Sequence, residues 1–130
     1  MSYLSTFTNY IQEFITKLAD FYPDDVDFSN FKTYMLILKK TNPRKIVEIF
    51  DKYCLKYRTE IEHKNENFLL TTDFTKDHIE IENVIDNNNA FDIMTKIKTY
   101  WEKMNVDMKE NIWMYLNLFL RLSDKMSKNV

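Results

Sequence analysis

Hydrophobic side chains recur every three or four residues through most of the chain, which is the period of helices buried along one face. The clearest series lies near the N-terminus, at Leu4, Phe7, Ile11, Phe14, Leu18 and Phe21. Pro23 disfavours helical geometry at Tyr22, so the series predicts a helix over Leu4–Phe21, capped by Ser2 or Ser5. Its hydrophobic face either packs into the core or forms a coiled coil with another copy.

The next hydrophobic series predicts two helices joined by a short turn. The first has a hydrophobic face from Phe28 to Leu38, an N-cap at Asp27 or Ser29, and an end near Lys40. The second begins at Pro43, whose missing N–H costs nothing at the first helical position. Thr41 or Asn42 caps it, and its hydrophobic face extends from Ile46 to Ile61.

The stretch Ile112–Leu122 is hydrophobic on nearly every side, which is typical of a helix in the middle of a domain. A membrane-spanning helix needs about 20 such residues, so we expect a central helix of a core. Asp107 and Glu110 have the spacing of a capping box at its start, and Asn117 and Arg121 should lie at its edge or be paired.

The remaining stretches complete an all-α prediction. A helix is expected from about Ala90 to Met104, capped by Asn89, and residues 62–89 read as an irregular acidic connector. Within that connector, Ile81–Ile85 favours a short helix. We therefore predict one compact domain over residues 1–130, a bundle of five or six helices around the hydrophobic C-terminal helix.

The composition excludes several classes of site. The chain has 130 residues and no glycine, so it has no phosphate-binding loop, dinucleotide fingerprint or nucleophile elbow. Cys54 is its single cysteine, which excludes an internal disulfide. No basic segment followed by a hydrophobic one begins the chain. These features favour a soluble protein inside a cell.

Candidate catalytic residues are few. His63 and His78 are the only histidines, and a metal site joining them to nearby carboxylates would match no known ligand spacing. Glu80 and Glu82 lie two residues apart, so on a helix they do not face each other. We therefore predict no catalytic residue, no metal and no cofactor, and an enzyme built on residues 62–82 is the third hypothesis for the function.

Charge is segregated along the chain although the net charge is only −2. Residues 1–31 carry an excess of acidic side chains, 32–58 of basic ones, 59–92 of acidic ones and 93–130 of basic ones. The first basic block contains eight cations on two predicted helices and their turn, and six of them lie from Lys39 to Lys56. We call these six the basic ridge: Lys39, Lys40, Arg44, Lys45, Lys52 and Lys56.

Three interpretations of the basic ridge remain open. It pairs with the acidic segment 59–92 of its own chain or is solvated, it binds an acidic protein, or it follows a phosphate backbone as part of a helix-turn-helix. The sequence pI of about 5.7 argues against a dedicated nucleic-acid protein, because such domains are usually basic.

Tyrosines offer a second candidate binding surface. Tyr3, Tyr10, Tyr22 and Tyr34 lie at the edges of the predicted helices and would line a groove for a partner helix. Tyrosine is enriched among the residues that dominate protein interfaces. The ordinary alternative is that these rings seal the rim of the core.

Three sequence pieces resemble short, helix-rich proteins of nucleocytoplasmic large DNA viruses. They are Phe21-Tyr22-Pro23-Asp24, Leu38-Lys39-Lys40-Thr41-Asn42-Pro43-Arg44 with Ile46-Val47, and Ile112-Trp113-Met114-Tyr115-Leu116. The resemblance implies a viral, non-enzymatic protein in the infected cytoplasm or the virion, and it carries over no site residue. We expect a protein-binding module, either a virion component or an adaptor, with membrane association not expected. The alternative is a protein that binds nucleic acid through residues 32–58.

Overall fold

The computed structural model describes residues 2–72 and 87–128, with only the backbone described at 52–54, 87–93 and 128. Within these ranges the structure contains helices and no strand, which confirms the all-α class. Seven helices are present there, more than the five or six predicted. They are α1 (Tyr3–Phe21), α2 (Val26–Thr41), α3 (Pro43–Cys54), α4 (Arg58–Glu62), α5 (Glu66–Thr71), α6 (Asn87–Trp101) and α7 (Val106–Lys128).

The helix α1 follows its predicted bounds. The Ser2 side chain accepts a hydrogen bond from the Ser5 N–H, and the helix ends where Tyr22 precedes Pro23. The cap of α2 is a correction, because neither Asp27 nor Ser29 provides it. Asp25 has an extended backbone, and its Oδ1 accepts from the Asp27 N–H at 3.0 Å.

The predicted third helix is two helices. Pro43 occupies the first position of α3 as expected, but the helix ends at Cys54, and α4 begins at Arg58. The intervening turn reorients the chain, so Ile61 is buried on α4 while the carbonyl oxygen of Ile61 accepts from Asn117 Nδ2 at 3.1 Å. These tertiary contacts override the continuous hydrophobic spacing.

The C-terminal helices begin earlier than predicted. The N-cap of α7 is Asn105, whose Oδ1 accepts a hydrogen bond from the Met108 N–H at 2.8 Å. The prediction of a capping box formed by Asp107 and Glu110 was therefore wrong. Glu110 pairs with Lys64 instead, at 3.1 Å. The helix α6 already includes Asn89, its predicted cap, and it ends at Trp101 rather than Met104.

The segment 62–89 is partly helical, because α5 lies within it and α6 begins there. Asn65 caps α5 through its side chain, which accepts from the Phe68 N–H at 3.1 Å. Phe68 and Leu69 are buried against the core. The short helix predicted at Ile81–Ile85 lies outside the described residues.

The hydrophobic face of α7 supplies the middle of the core. Phe119 is buried, and its ring lies 5.4 Å from the ring of Phe7 on α1 and 5.8 Å from that of Phe50 on α3. The helix α7 also contacts α4, and α2 packs against α1, α3 and α6. None of the described helices combines the length and hydrophobicity required to cross a membrane.

Candidate protein-binding surface

The basic ridge is centred on the junction of α2 and α3. Lys39 and Lys40 lie in the last turn of α2, and Arg44 and Lys45 lie in the first turn of α3. A single residue, Asn42, separates the two helices. Lys56 follows α3 in the turn before α4, and the side chain of Lys52 lies outside the described residues.

Two cations of the ridge have partners within the chain. Lys39 donates to Gln12 Oε1 on α1 at 2.8 Å, and Lys45 pairs with Glu48 at 3.2 Å. Lys40 and Arg44 are exposed, and neither has an ion-pair partner in the described part of the chain. Gln12 is neutral and leaves the charge of Lys39 in place, so Lys45 is the junction cation whose charge an ion pair compensates, and Lys40 and Arg44 are the exposed cations of the junction.

The two helix ends at the junction affect its positive charge in opposite ways. Lys39 and Lys40 offset the partial negative charge at the C-terminus of α2. Arg44 and Lys45 instead lie at the partly positive N-terminus of α3, which has no acidic residue in its first turn. Because the Asn42 side chain makes no capping hydrogen bond there, this end of α3 attracts negative charge.

Hydrophobic groups flank both cations. Ile37 is 51% exposed on α2, three residues before Lys40 and hence on the same side of the helix. Arg44 lines a cavity of about 220 Å³ together with Val47 and Met126. The surface thus combines charge with exposed hydrophobic area, which is the composition of many protein interfaces.

The acidic residues described in segment 59–92 that form ion pairs do so with cations other than Lys40 and Arg44. Glu62 pairs with Arg58 at 3.5 Å, and Glu66 pairs with Lys109 at 3.9 Å. Within residues 59–72, no carboxylate forms an ion pair with Lys40 or Arg44. The rest of that prediction falls on residues 73–86, outside the described ranges.

The four tyrosines have different environments. Tyr3 and Tyr10 are exposed on α1, and Tyr10 lines a separate cavity of about 260 Å³. Tyr22 stacks on Tyr100, with ring centroids 4.1 Å apart. Tyr34 is only 7% exposed, so this ring belongs to the core and cannot line an open groove.

A network around Asp25 has no signal in the sequence. Oδ2 of Asp25 accepts from the Tyr100 hydroxyl at 2.5 Å and lies 3.1 Å from Nζ of Lys96. The same Nζ lies 3.1 Å from Oδ2 of Asp27. Only the packing of α6 against the turn between α1 and α2 brings these residues together, since they lie about 70 positions apart.

The network changes the acidity of its members. Burial acts to raise the pKa of Asp25, but hydrogen bonds from Tyr100, Lys96 and the Asp27 N–H outweigh it and hold the pKa below its usual value. Hydrogen bonds to Asp27 and Asp25 raise the pKa of Lys96. The hydrogen bond to Asp25 raises the pKa of the Tyr100 hydroxyl.

A second network joins α3 and α4 to α7. The Ser123 hydroxyl donates to Oδ1 of Asp51 at 2.7 Å. Arg58 binds Asp124 through two hydrogen bonds of 2.6 and 3.1 Å. Burial and the charge of Asp124 raise the pKa of Asp51 above its usual value, although Ser123 and Arg58 oppose this.

The histidines lie apart from both networks. His63 is exposed at the end of α4, where its Nδ1 lies 2.8 Å from the carbonyl oxygen of Thr59, and His78 is outside the described residues. Over residues 2–72 and 87–128, no three histidine, cysteine, aspartate or glutamate side chains are grouped as metal ligands.

A scan against protein-family models and searches of curated proteins and of solved structures found no match to this chain.

Proposed function

We propose that the chain is a non-enzymatic protein-binding module and that the α2–α3 junction binds an acidic segment of its partner. The observation that carries this proposal is the pair Lys40 and Arg44, which are exposed and have no ion-pair partner among the described residues. An exposed Ile37 beside them adds hydrophobic area that a protein partner can bury.

Binding to nucleic acid through residues 32–58 is the alternative, and the geometry favours it less. Lys39 and Lys45 already contact Gln12 and Glu48, so two cations remain fully available at the junction. Two phosphate contacts correspond to a loss of affinity of only about 12-fold between 50 and 200 mM salt. A phosphate backbone also has no hydrophobic group that could bury the exposed side chain of Ile37, so this side chain would not strengthen binding to nucleic acid.

The cellular setting follows from the resemblance alone. If the chain is a viral protein, the partner belongs to the virion or to a complex in the infected cytoplasm, and the module acts as a structural component or an adaptor. A single compact domain over residues 1–130 is part of the same proposal, since it would hold the junction rigidly.

The experiment compares three fluorescent probes in anisotropy titrations. They are a peptide in which glutamates surround leucine and phenylalanine, random-sequence duplex DNA and single-stranded RNA. We expect the peptide to bind most tightly, and Lys40→Glu with Arg44→Glu to weaken it at least about tenfold by replacing attraction with repulsion.

The matched control is Lys103→Glu with Arg121→Glu. Both side chains are exposed, neither has an ion-pair partner in the described ranges, and the net charge changes equally. Equal weakening by both double variants would show a general charge effect and contradict the proposed surface. Tighter binding of DNA or RNA, with a steep salt dependence lost only in the junction variant, would replace the proposal by the nucleic-acid alternative.

A further inference from the structure

The helix α2 carries opposite charges at its two ends. Asp24, Asp25 and Asp27 lie at its N-terminus and Asp20 lies in the last turn of α1, a few residues earlier in the chain. The ammonium group of Lys96 compensates part of that charge. The cations of the α2–α3 junction lie at its other end. With 16 residues, α2 separates the two ends by about 24 Å.

The acidic end forms an open groove of about 570 Å³. Hydrophobic side chains contribute much of its wall, and two of them are well exposed, Phe21 at 45% and Val26 at 66%. Asp24 lies at its edge and, like Asp20, has no ion-pair partner within the described residues. Negative charge beside exposed hydrophobic groups therefore mirrors the composition of the junction.

The two surfaces cannot neutralise each other within one molecule. Their separation of about 24 Å exceeds the distance of about 10 Å over which charges act in 0.1 M salt. Contact between two molecules can bring them together, since Lys40 and Arg44 would face Asp20 and Asp24. Ile37 of one copy would then meet Phe21 or Val26 of the next.

We propose that the groove at the start of α2 binds the α2–α3 junction of a second copy of this chain. The inference rests on the proposed function, because it names one acidic partner of the same surface. Two different patches meet in such a contact, so it is heterologous, and each bound pair leaves one free groove and one free junction. Association should therefore continue into rings or open chains as concentration rises.

The test is sedimentation velocity of the full chain over a range of concentrations, at about 50 and about 500 mM salt. We expect the average mass to increase with concentration at low salt and association to weaken at least about tenfold at high salt. A protein that remains monomeric at low salt, up to millimolar concentration, would overturn the inference.

Two charge-reversed variants test the direction of the contact. Lys40→Glu with Arg44→Glu alters the junction and keeps the groove, whereas Asp20→Lys with Asp24→Lys alters the groove and keeps the junction. Each variant alone should remain monomeric. An equal mixture should associate again, because the intact groove of the first variant meets the intact junction of the second, and the two reversed surfaces also carry opposite charges. If each variant alone stayed monomeric and the mixture also failed to associate, the proposed contact between groove and junction would be overturned.

The control variant Lys103→Glu with Arg121→Glu should associate like the unmodified protein, and equal loss in it would also overturn the inference. Circular dichroism establishes that each variant keeps its helices. Binding of the acidic peptide by the unmodified chain, and its loss in the Lys40→Glu, Arg44→Glu variant, separate the two proposals. If the unmodified chain binds the peptide through its junction but stays monomeric, the second copy is excluded and the proposed function stands.

Discussion

The hydroxyl of Tyr100 on α6 donates a hydrogen bond of 2.5 Å to Oδ2 of Asp25, the residue that caps α2. One carboxylate therefore closes the start of α2 and fixes α6 against it. Nζ of Lys96 lies 3.1 Å from the same oxygen, and the Tyr22 ring stacks on the Tyr100 ring. The position of α6 thus depends on a side chain that sequence patterns assign only to a turn.

Replacing Asp25 by alanine should lower the free energy of unfolding by about 2–3 kcal/mol. The cap contributes about 1 kcal/mol, and the lost acceptor leaves Tyr100 and Lys96 without their carboxylate. Urea denaturation at pH 7 measures this loss. Asp24→Ala is the matched control, because Asp24 is exposed and unpaired in the described ranges, and it should change stability by less than about 0.5 kcal/mol.

The loss caused by Asp25→Ala should also depend on pH. Because the folded state holds the pKa of Asp25 below its usual value, the stabilisation is fully present above the unfolded pKa of about 3.9. It disappears as the pH falls through the lowered pKa. The difference between the two proteins should therefore shrink below about pH 4. A difference that stays constant down to pH 2 would contradict the network.

Truncation of Phe119 tests the position of α7 in the core. Phe119→Ala should cost about 3–5 kcal/mol, because the ring is buried against Phe7, Phe14 and Phe50. Met114 lies on the same helix but is 48% exposed, so Met114→Ala should cost less than about 0.5 kcal/mol. Urea denaturation compares the two, with Phe119→Leu as a milder variant if the alanine protein does not fold. Similar losses at both positions would show that α7 is not oriented as described.

Local patterns were sufficient for the features that depend on neighbours in sequence. The spacing from Leu4 to Phe21 and the position of Pro23 predicted α1 correctly, since hydrophobic period and proline geometry act within a few residues. The hydrophobic stretch Ile112–Leu122 likewise predicted a helix in the core. The position of Pro43 predicted the start of α3.

The features that the sequence did not predict depend on contacts between distant residues. The helix break after Cys54 follows from packing of α4 against α7. The hydrophobic spacing continues without interruption to Ile61, so it could not predict this break. The partners of Asp25 lie on α6, so its importance was not predicted. Among the basic ridge, only the folded chain distinguishes Lys39, which contacts Gln12, from Lys40, which is exposed.

Neutralising Asp51 should stabilise the protein near neutral pH. Its raised pKa means that the folded state binds the proton more tightly than the unfolded state does, so stability falls as the pH rises from about 4 through the raised pKa. Asp51→Asn keeps an oxygen for the Ser123 hydroxyl and removes the half-buried charge near Asp124. Thermal unfolding should show the variant gaining stability over the unmodified protein as the pH rises from 3 to 7. The control Asp20→Asn removes an exposed carboxyl and should change the free energy of unfolding by less than about 0.5 kcal/mol.

Lys64 has the only positive φ among the described residues, at 52°, in a chain that contains no glycine. The Asn65 N–H bonds to the Glu60 carbonyl and the Lys64 N–H bonds to that of Ile61, which together form a Schellman motif at the end of α4. Glycine is the usual residue at this position, because a β-carbon costs about 1–2 kcal/mol in the left-handed conformation.

Lys64→Gly should therefore be more stable than Lys64→Ala by about 1 kcal/mol. Both variants lose the exposed ion pair with Glu110 equally, so their difference isolates the backbone conformation. Urea denaturation of the two proteins side by side measures it. If the alanine variant were as stable as the glycine variant, α4 would end without a left-handed residue, and the turn that leads into α5 would be built differently.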